Sequence, residues 1–364
     1  MTLMKYDDEW RIPALLPLSW IYRGIISLRN ILYDRELLPI AKVQAQVISV
    51  GNLSVGGTGK TPCVAFLAKA FSTEGTRVAI VARGYRRKGD GLCIVSDGNR
   101  ILAGVQEAGD EPLILARQCR NVPVIVDASK TKAALAARDR FGAELIIVDD
   151  GFQHRQLYRD CEVVMLPSAM MRQNPWLLPA GPLREPSKSL RRARFILLTD
   201  FSELPTEEQD GVMQRCRALS AAQIIPVSYH VSQLKDSWSG ESRPLTSLRE
   251  AKVLAISGIA RPQRFYRHVE SLGLILRDRL AFPDHHRYTE SDLTELAMTF
   301  HRTQADFAIT TEKDAVKLEQ FGVLKRLPFL TLEICMKPGT ALIPAIRAAM
   351  PLKKGLEGGL SSPP

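Results

Sequence analysis

Residues 49–62, SVGNLSVGGTGKTP, bring glycines at 56, 57 and 59 up to a Lys60-Thr61 pair, and these residue types at this spacing bind phosphate. Glycine backbone lets N–H groups turn toward phosphate oxygens, a helix starting at the lysine presents its positive end, and Lys60 neutralises the β- and γ-phosphates. Thr61 would ligate Mg²⁺. The strict pattern opens on glycine; here Ser54 stands in that place and Val55, Gly56, Gly57, Thr58, Gly59, Lys60 and Thr61 complete the loop. An apolar strand precedes it and a helical pattern follows, so nucleotide binding is expected rather than a structural glycine turn.

A carboxylate for the metal should end another buried strand. ELIIVDDG supplies Asp149 and Asp150 there, either of which could hold Mg²⁺ directly or through water. Alone, such a pair reads as a helix cap or turn. The nearest candidate for a guanine reader, TTEKD at 310–314, has Glu312 where that element needs lysine, so adenine is preferred. Partition-type ATPase switches carry a further lysine where Val55 stands, which counts against a dimerising switch.

Positioning these groups takes a sheet. After Ala41, strand patterns occur at AQVISVGN, TRVAIVARG, GLCIVSDG, VPVIVDAS, AELIIVDDG, CEVVMLPS and ARFILLTD. Such continuous apolar runs are buried on both faces, which predicts a largely parallel sheet covered by helices. The expected organisation is a P-loop NTPase-like α/β/α domain over 41–220, a β-ribbon connector over 221–250, a second, smaller α/β/α domain over 251–350, and a disordered tail over 351–364. In the smaller domain the expected order is strand KVLAISGIA, a helix from Pro262, strand LILRDRLAF, a helix from Thr289, strand ADFAITT, then a last strand and helix.

The 364 residues suffice for about two domains, and 45% apolar with 24% charged residues describes a soluble folded chain. Six dispersed cysteines without a CxxC pair suggest neither a zinc knuckle nor a disulfide framework. The net charge of +10 favours anionic partners. Without aromatic RNP motifs, helix-turn-helix spacing or zinc fingers, no nucleic-acid partner is expected.

Residues 1–40 contain the most apolar N-terminal stretch, but Pro13, Pro17, Arg23 and Arg29 interrupt it, so it is not expected to cross a bilayer. From Leu18 the spacing is helical: Leu18, Ile21, Tyr22, Ile25, Leu28 and Leu32 on one face, Ser19, Arg23, Ser27 and Asn30 on the other. Such a helix could lie in a membrane interface with Trp20 and Tyr33 near the headgroups, or pack on the protein's own core.

With GNLSVGGTGKTP, ARGYRRKGDG, AGDEP, VDDGFQHRQLYRD, PAGPLREP, FPDHH and TTEKDAVK in this order, the chain resembles the tetraacyldisaccharide 4'-kinase family from about residue 10 to about residue 350. The resemblance implies transfer of the ATP γ-phosphate, with Mg²⁺, to the 4'-hydroxyl of tetraacyldisaccharide 1-phosphate, giving lipid IVA. It implies a peripheral enzyme on the cytoplasmic face of the bacterial inner membrane, acting on a lipid at that membrane surface with no obligate protein partner. A membrane-associated ATPase switch is the competing expectation.

The resemblance also assigns roles. Asp110, which alone reads as a helix N-cap, matches the family's catalytic aspartate, and His285 the histidine that orients it, one from each domain; Lys60 completes the catalytic set. His286 is the less favoured of the two histidines. Glu185 is expected near Mg²⁺ with Thr61, Asp149 and Asp150, and Arg184 near the phosphates. His154 is expected to support the site, while Arg83, Tyr85 and Arg86 are available for substrate or nucleotide without assigned roles. The acyl chains of the acceptor favour the interfacial reading of the first helix.

Overall fold

A computed structural model describes residues 12–171, 176–322, 325 and 327–350; the expected tail at 351–364 lies outside them. The first half alternates β1 (Gln46–Asn52), α2 (Lys60–Thr73), β2 (Val78–Ala82), β3 (Cys93–Ser96), α3 (Val105–Ala108), α4 (Asp110–Gln118), β4 (Val124–Val126), α5 (Lys130–Phe141), β5 (Leu145–Asp149), β6 (Cys161–Pro167), β7 (Phe195–Thr199) and α6 (Thr206–Leu219), after α1 (Leu16–Asp34). The second contains β8 (Gln223–Asp236), β9 (Ser242–Arg243), β10 (Lys252–Ser257), α7 (Pro262–Ser271), β11 (Ile275–Ala281), α8 (Glu290–Thr303), β12 (Phe307–Thr311), α9 (Glu312–Leu318), β13 (Phe329–Pro338) and α10 (Leu342–Ala349).

Every strand run named above forms a strand, and the alternation of side chains along each explains why both sheet faces are covered. Ile48 and Val50 of β1 pack with α2 and α4, whereas Val47 packs with α5. In the second half Val253 and Ala255 of β10 face Phe265 and Val269 of α7, while Leu254 and Ile256 face Leu293 and Leu296 of α8. Each half is therefore an α/β/α sandwich.

The two sandwiches share one sheet, in the order β11-β10-β12-β13-β8-β7-β6-β1-β5-β2-β4-β3, with β9 on β8. Strand β8 makes the join: Gln223–Val227 runs parallel to β7, and its remainder runs antiparallel to β13 as a two-stranded ribbon. The first-half core is parallel apart from β3, antiparallel at the edge beside β4. After β13 the chain returns to the first half, where Leu342 and Ile346 of α10 enter the core shared by α2 and α4.

Helix α1 is inverted relative to an ordinary surface helix. Its buried residues are Ser19, Asn30 and Tyr33, while Leu18, Trp20, Ile21, Ile25 and Leu28 are each more than half exposed. Ser19 and Asn30 of the polar face bind inward while Arg23 is exposed, and Tyr22, expected on the apolar face, turns inward with them: Ser19 donates to the Leu177 carbonyl at 2.9 Å, Tyr22 to the Arg184 carbonyl at 2.9 Å, and Asn30 Nδ2 to Glu185 Oε2 at 2.8 Å. Tyr33 corrects the sequence expectation, because it is buried beneath the Arg155 guanidinium, 5.1 Å from the ring centre. Trp20 alone of the two aromatics is outward, 67% exposed. No helix of the described residues is long and apolar enough to cross a membrane.

Candidate active site

Strand β1 delivers the loop and α2 begins at Lys60, so the first-turn N–H groups of α2 border the cradle. Gly56 and Gly57 are exposed and Ser54 is fully buried. Gly59 has φ 84°, and a Cβ there would lie 1.8 Å from Tyr229 Oη; both the backbone and the neighbour require glycine. Tyr229 of β8 donates to the Gly59 carbonyl at 3.2 Å, and Asn52 Nδ2 donates to Thr58 Oγ1 at 3.0 Å. The loop's first residues are tied to 182–184: Val55 N donates to the Pro182 carbonyl at 2.9 Å and Arg184 N to the Leu53 carbonyl at 2.7 Å.

The two carboxylates at the end of β5 differ sharply. Asp150 has φ 51° and lies between cations, 3.3 Å from Lys60 Nζ and 3.0 Å from Arg184 Nη1. Burial opposes its ionisation, but Lys60, Lys130 and Arg184 more than offset that and hold the carboxyl far below the usual range. Asp149 is buried, and its Oδ1 has no hydrogen-bond partner among the described residues. Burial, and then the negative charge of Glu111, push it up to about 7. A cation beside Asp149 would reverse that shift, so this carboxylate fits an Mg²⁺ that keeps phosphate and water ligands.

Glu185 is enclosed on the side of α1. Its carboxylate is fully buried, 2.9 Å from Arg192 Nη1 and 3.6 Å from Arg29 Nη2, and accepts from Asn30. Arg184 and Glu185 are adjacent and leave the chain in opposite directions, one to Asp150 and the other toward α1. With both oxygens engaged by Arg192 and one by Asn30, Glu185 secures α1.

Asp110 and His285 meet. Asp110 Oδ2 lies 3.0 Å from His285 Nδ1, although 175 positions separate them. Gly109 occupies the N-cap of α4, so Asp110 is the first helical residue and its Oδ1 accepts from Glu111 N at 2.9 Å. Burial alone would raise the Asp110 carboxyl; the His285 hydrogen bond and the charges of Lys313, His285 and Lys317 outweigh it and hold the group at about 2. His285 sits at φ 58° in the β11–α8 connection. Arg86 Nη1 donates to the His285 carbonyl at 3.1 Å and the Tyr85 ring meets the imidazole edge-on at 5.3 Å. His286 is used differently: it lies 2.9 Å from Asp292 Oδ2 and stacks on Phe282.

His154 has a buried Nε2 without a hydrogen-bond partner among the described residues. Burial first, then Lys130, Arg159 and Arg83, push it down to about 4, so it is neutral at pH 7. Arg83 is exposed. Two residues escaped the sequence reading. Lys130, buried in the first turn of α5, donates to the Asp150 carbonyl at 2.5 Å and is pushed down to about 8 chiefly by burial. Glu111 lies 2.5 Å from Lys313 Nζ. Its position inside AGDEP was the available signal; for Lys130, one residue after the Ser129 cap, a solvated helix lysine was the natural reading.

A family model described as tetraacyldisaccharide-1-P 4'-kinase matches residues 12–350. The tetraacyldisaccharide 4'-kinase of Syntrophus aciditrophicus (strain SB) is 40% identical over 330 residues, covering 88% of each chain. That of Halothermothrix orenii (strain H 168) is 38% identical over 338 residues, again covering 88% of each. Among solved structures, LpxK from Aquifex aeolicus in complex with ATP superposes with a TM-score of 0.75 at 33% identity, over 92% of this chain and 98% of that one.

Proposed function

We propose, on the premise that the chain belongs to the tetraacyldisaccharide-1-P 4'-kinase family, that it transfers the γ-phosphate of ATP to the 4'-hydroxyl of tetraacyldisaccharide 1-phosphate, forming lipid IVA. The observation that carries the chemistry is the 3.0 Å contact between Asp110 and His285. It joins the start of α4 to a loop of the opposite sandwich, beside a Glu111 whose carboxyl feels the Lys60 charge.

A sugar hydroxyl is a weak nucleophile at neutral pH, and a positioned carboxylate that accepts its proton lowers the barrier to in-line attack. Asp110 is ionised and braced for that task. The proton is taken by the Asp110 carboxylate, which His285 holds in place at 3.0 Å. Lys60 reaches from the loop toward transferring charge, and Gly56 to Gly59 leave backbone donors free for phosphate oxygens. When bound, ATP supplies the phosphoryl group and Mg²⁺ neutralises charge on its oxygens; Thr61 and Asp149 are the side chains that suit the ion. Arg184 and Lys130 fix Asp150, which in turn fixes Lys60.

The acceptor's acyl chains keep it in a bilayer, and the outward apolar face of α1 suits a peripheral enzyme lying on that surface. A positive net charge favours the anionic cytoplasmic leaflet. The reaction is tested by thin-layer separation after incubation with γ-labelled ATP and the lipid acceptor in detergent micelles. Label must move onto the lipid, and Asp110→Ala must abolish most of that transfer, about 10²–10⁴-fold, with ATP affinity kept. ATP consumed while the lipid stays unlabelled would support an ATPase switch instead.

A further inference from the structure

The segment TTEKD at 310–314 resembles a guanine reader with the wrong second residue, and the reaction as described makes no use of it. Asp314 cannot meet a base: it is fully buried, Oδ2 accepts from Thr311 Oγ1 at 2.7 Å and from Gly258 N at 2.9 Å, and Oδ1 lies 3.0 Å from Lys317 Nζ. Gly258 is pressed against this carboxylate, since a Cβ there would stand 2.9 Å from Asp314 Oδ1 and 3.3 Å from His286 Cβ. The Gly258 carbonyl in turn accepts from His285 N at 3.2 Å. Asp314 therefore holds the backbone that holds His285.

The preceding residue points to the other half of the molecule. Lys313 Nζ lies 2.5 Å from Glu111 Oε1, one residue beyond Asp110. Burial opposes the Lys313 charge, but Glu111 and Asp110 win and raise its proton affinity, so the ammonium stays charged. The same segment touches α4 twice more, through Glu312 of α9 and Gln118 at 2.6 Å and through Glu319, the residue that caps α9, and Arg117 at 2.6 Å.

We propose that Lys313 and Asp314 are positioning residues for phosphoryl transfer: the first turn of α9 grips Glu111 on one side and Gly258 on the other, and so sets the separation of Asp110 and His285. This rests on the reading of Asp110 as the proton acceptor that His285 holds in place. Two consecutive side chains of one helix turn then index both members of a pair drawn from opposite sandwiches. A small misplacement of reacting groups costs far more in rate than in binding.

The test uses the full chain, labelled ATP and the tetraacyldisaccharide 1-phosphate acceptor in micelles. Lys313→Met is expected to lower kcat ~10- to 100-fold while the KM for ATP changes less than about twofold, the split expected when a transition-state interaction is lost. Lys313→Arg recovers most of the rate. The deciding comparison is made in the Asp110→Ala background, at enzyme concentrations where its residual transfer exceeds the uncatalysed rate. There Lys313→Met adds no further loss, because its effect runs through Asp110. Multiplying losses, or an unchanged kcat in the single variant, overturns the proposal. Should circular dichroism show Lys313→Met unfolded, Lys313→Gln, which keeps a donor for Glu111, goes through the same comparison with the same two outcomes. Full transfer by Asp110→Ala alone overturns the underlying reading, and is seen in that parent before any Lys313 variant is measured.

Discussion

Lys60 Nζ stands 3.3 Å from Asp150 Oδ1, so the loop's lysine is already held by a carboxylate at the end of β5. The charges of Lys60 and Lys130 also reach the neighbouring Asp149, but burial and Glu111 outweigh them, and among the described residues its buried Oδ1 has no hydrogen-bond partner. Adjacent residues of one chemical type thus have different work: Asp150 aims Lys60, and Asp149 awaits a positive charge.

That division predicts opposite phenotypes. Asp149→Asn should raise the Mg²⁺ concentration for half-maximal transfer by ~10-fold or more, the scale on which a ligand or its support alters metal affinity. Asp150→Asn should leave the Mg²⁺ requirement nearly unchanged. It uncovers the mutual repulsion of Lys60, Lys130 and Arg184, so its thermal midpoint falls without nucleotide and recovers on adding ATP, whose phosphates replace the missing charge. Mg²⁺ titrations of kcat alongside thermal melts with and without ATP separate the two. Equal metal dependence in both variants contradicts the assignment.

The phosphate loop and the strand pattern were legible because each is a local rule: glycine where φ is positive, apolar runs where both faces are covered. The Asp110–His285 contact was not, since its members lie 175 positions apart and each alone has an ordinary reading as a cap or a loop histidine. Only the resemblance joined them. The engagement of Glu185 with α1 was illegible for another reason. Sequence shows that Arg184 and Glu185 are neighbours, but which side of the segment each leaves is decided by the partners waiting there, Asp150 on one and Asn30 with Arg192 on the other. Periodicity likewise revealed two faces on α1 without saying which turned inward.

The orientation of α1 yields its own test. Trp20, Ile21, Ile25 and Leu28 stand in water, where an apolar stripe is disfavoured unless a partner covers it. Each is worth on the order of 1–2 kcal/mol if it enters a bilayer interface. Trp20→Ser with Ile25→Ser and Leu28→Ser should therefore weaken sedimentation with anionic vesicles ~100-fold or more, and slow transfer to vesicle-embedded acceptor. The thermal midpoint should hold, because these side chains touch little of the protein. Asn30→Ala should do the reverse: vesicle binding survives, while stability falls by ~1–3 kcal/mol as the buried Glu185 loses a donor. A triple variant that binds vesicles normally removes the membrane from the account of α1.

Glu312, by its position between the sandwiches, costs stability. Burial first, then the Glu333 carboxylate, push its carboxyl up to about 7, against the lowering hydrogen bond from Gln118. The sign follows from linkage: a group whose folded pKa lies above its unfolded value binds more protons when folded, so its favourable contribution is complete below about 4.5 and is lost as pH rises through about 7. Glu312→Gln cannot ionise and keeps an oxygen to accept from Gln118, so it escapes that loss. The variant's advantage over the parent should widen from pH 5 to pH 8 by on the order of 2 kcal/mol, read from urea midpoints at the two pH values in the absence of nucleotide. A parent that gains on the variant between pH 5 and pH 8 would mean that Glu312 is better satisfied as a carboxylate than its neighbour Glu333 allows, and that Lys235, which lies 2.5 Å from Glu333, serves both.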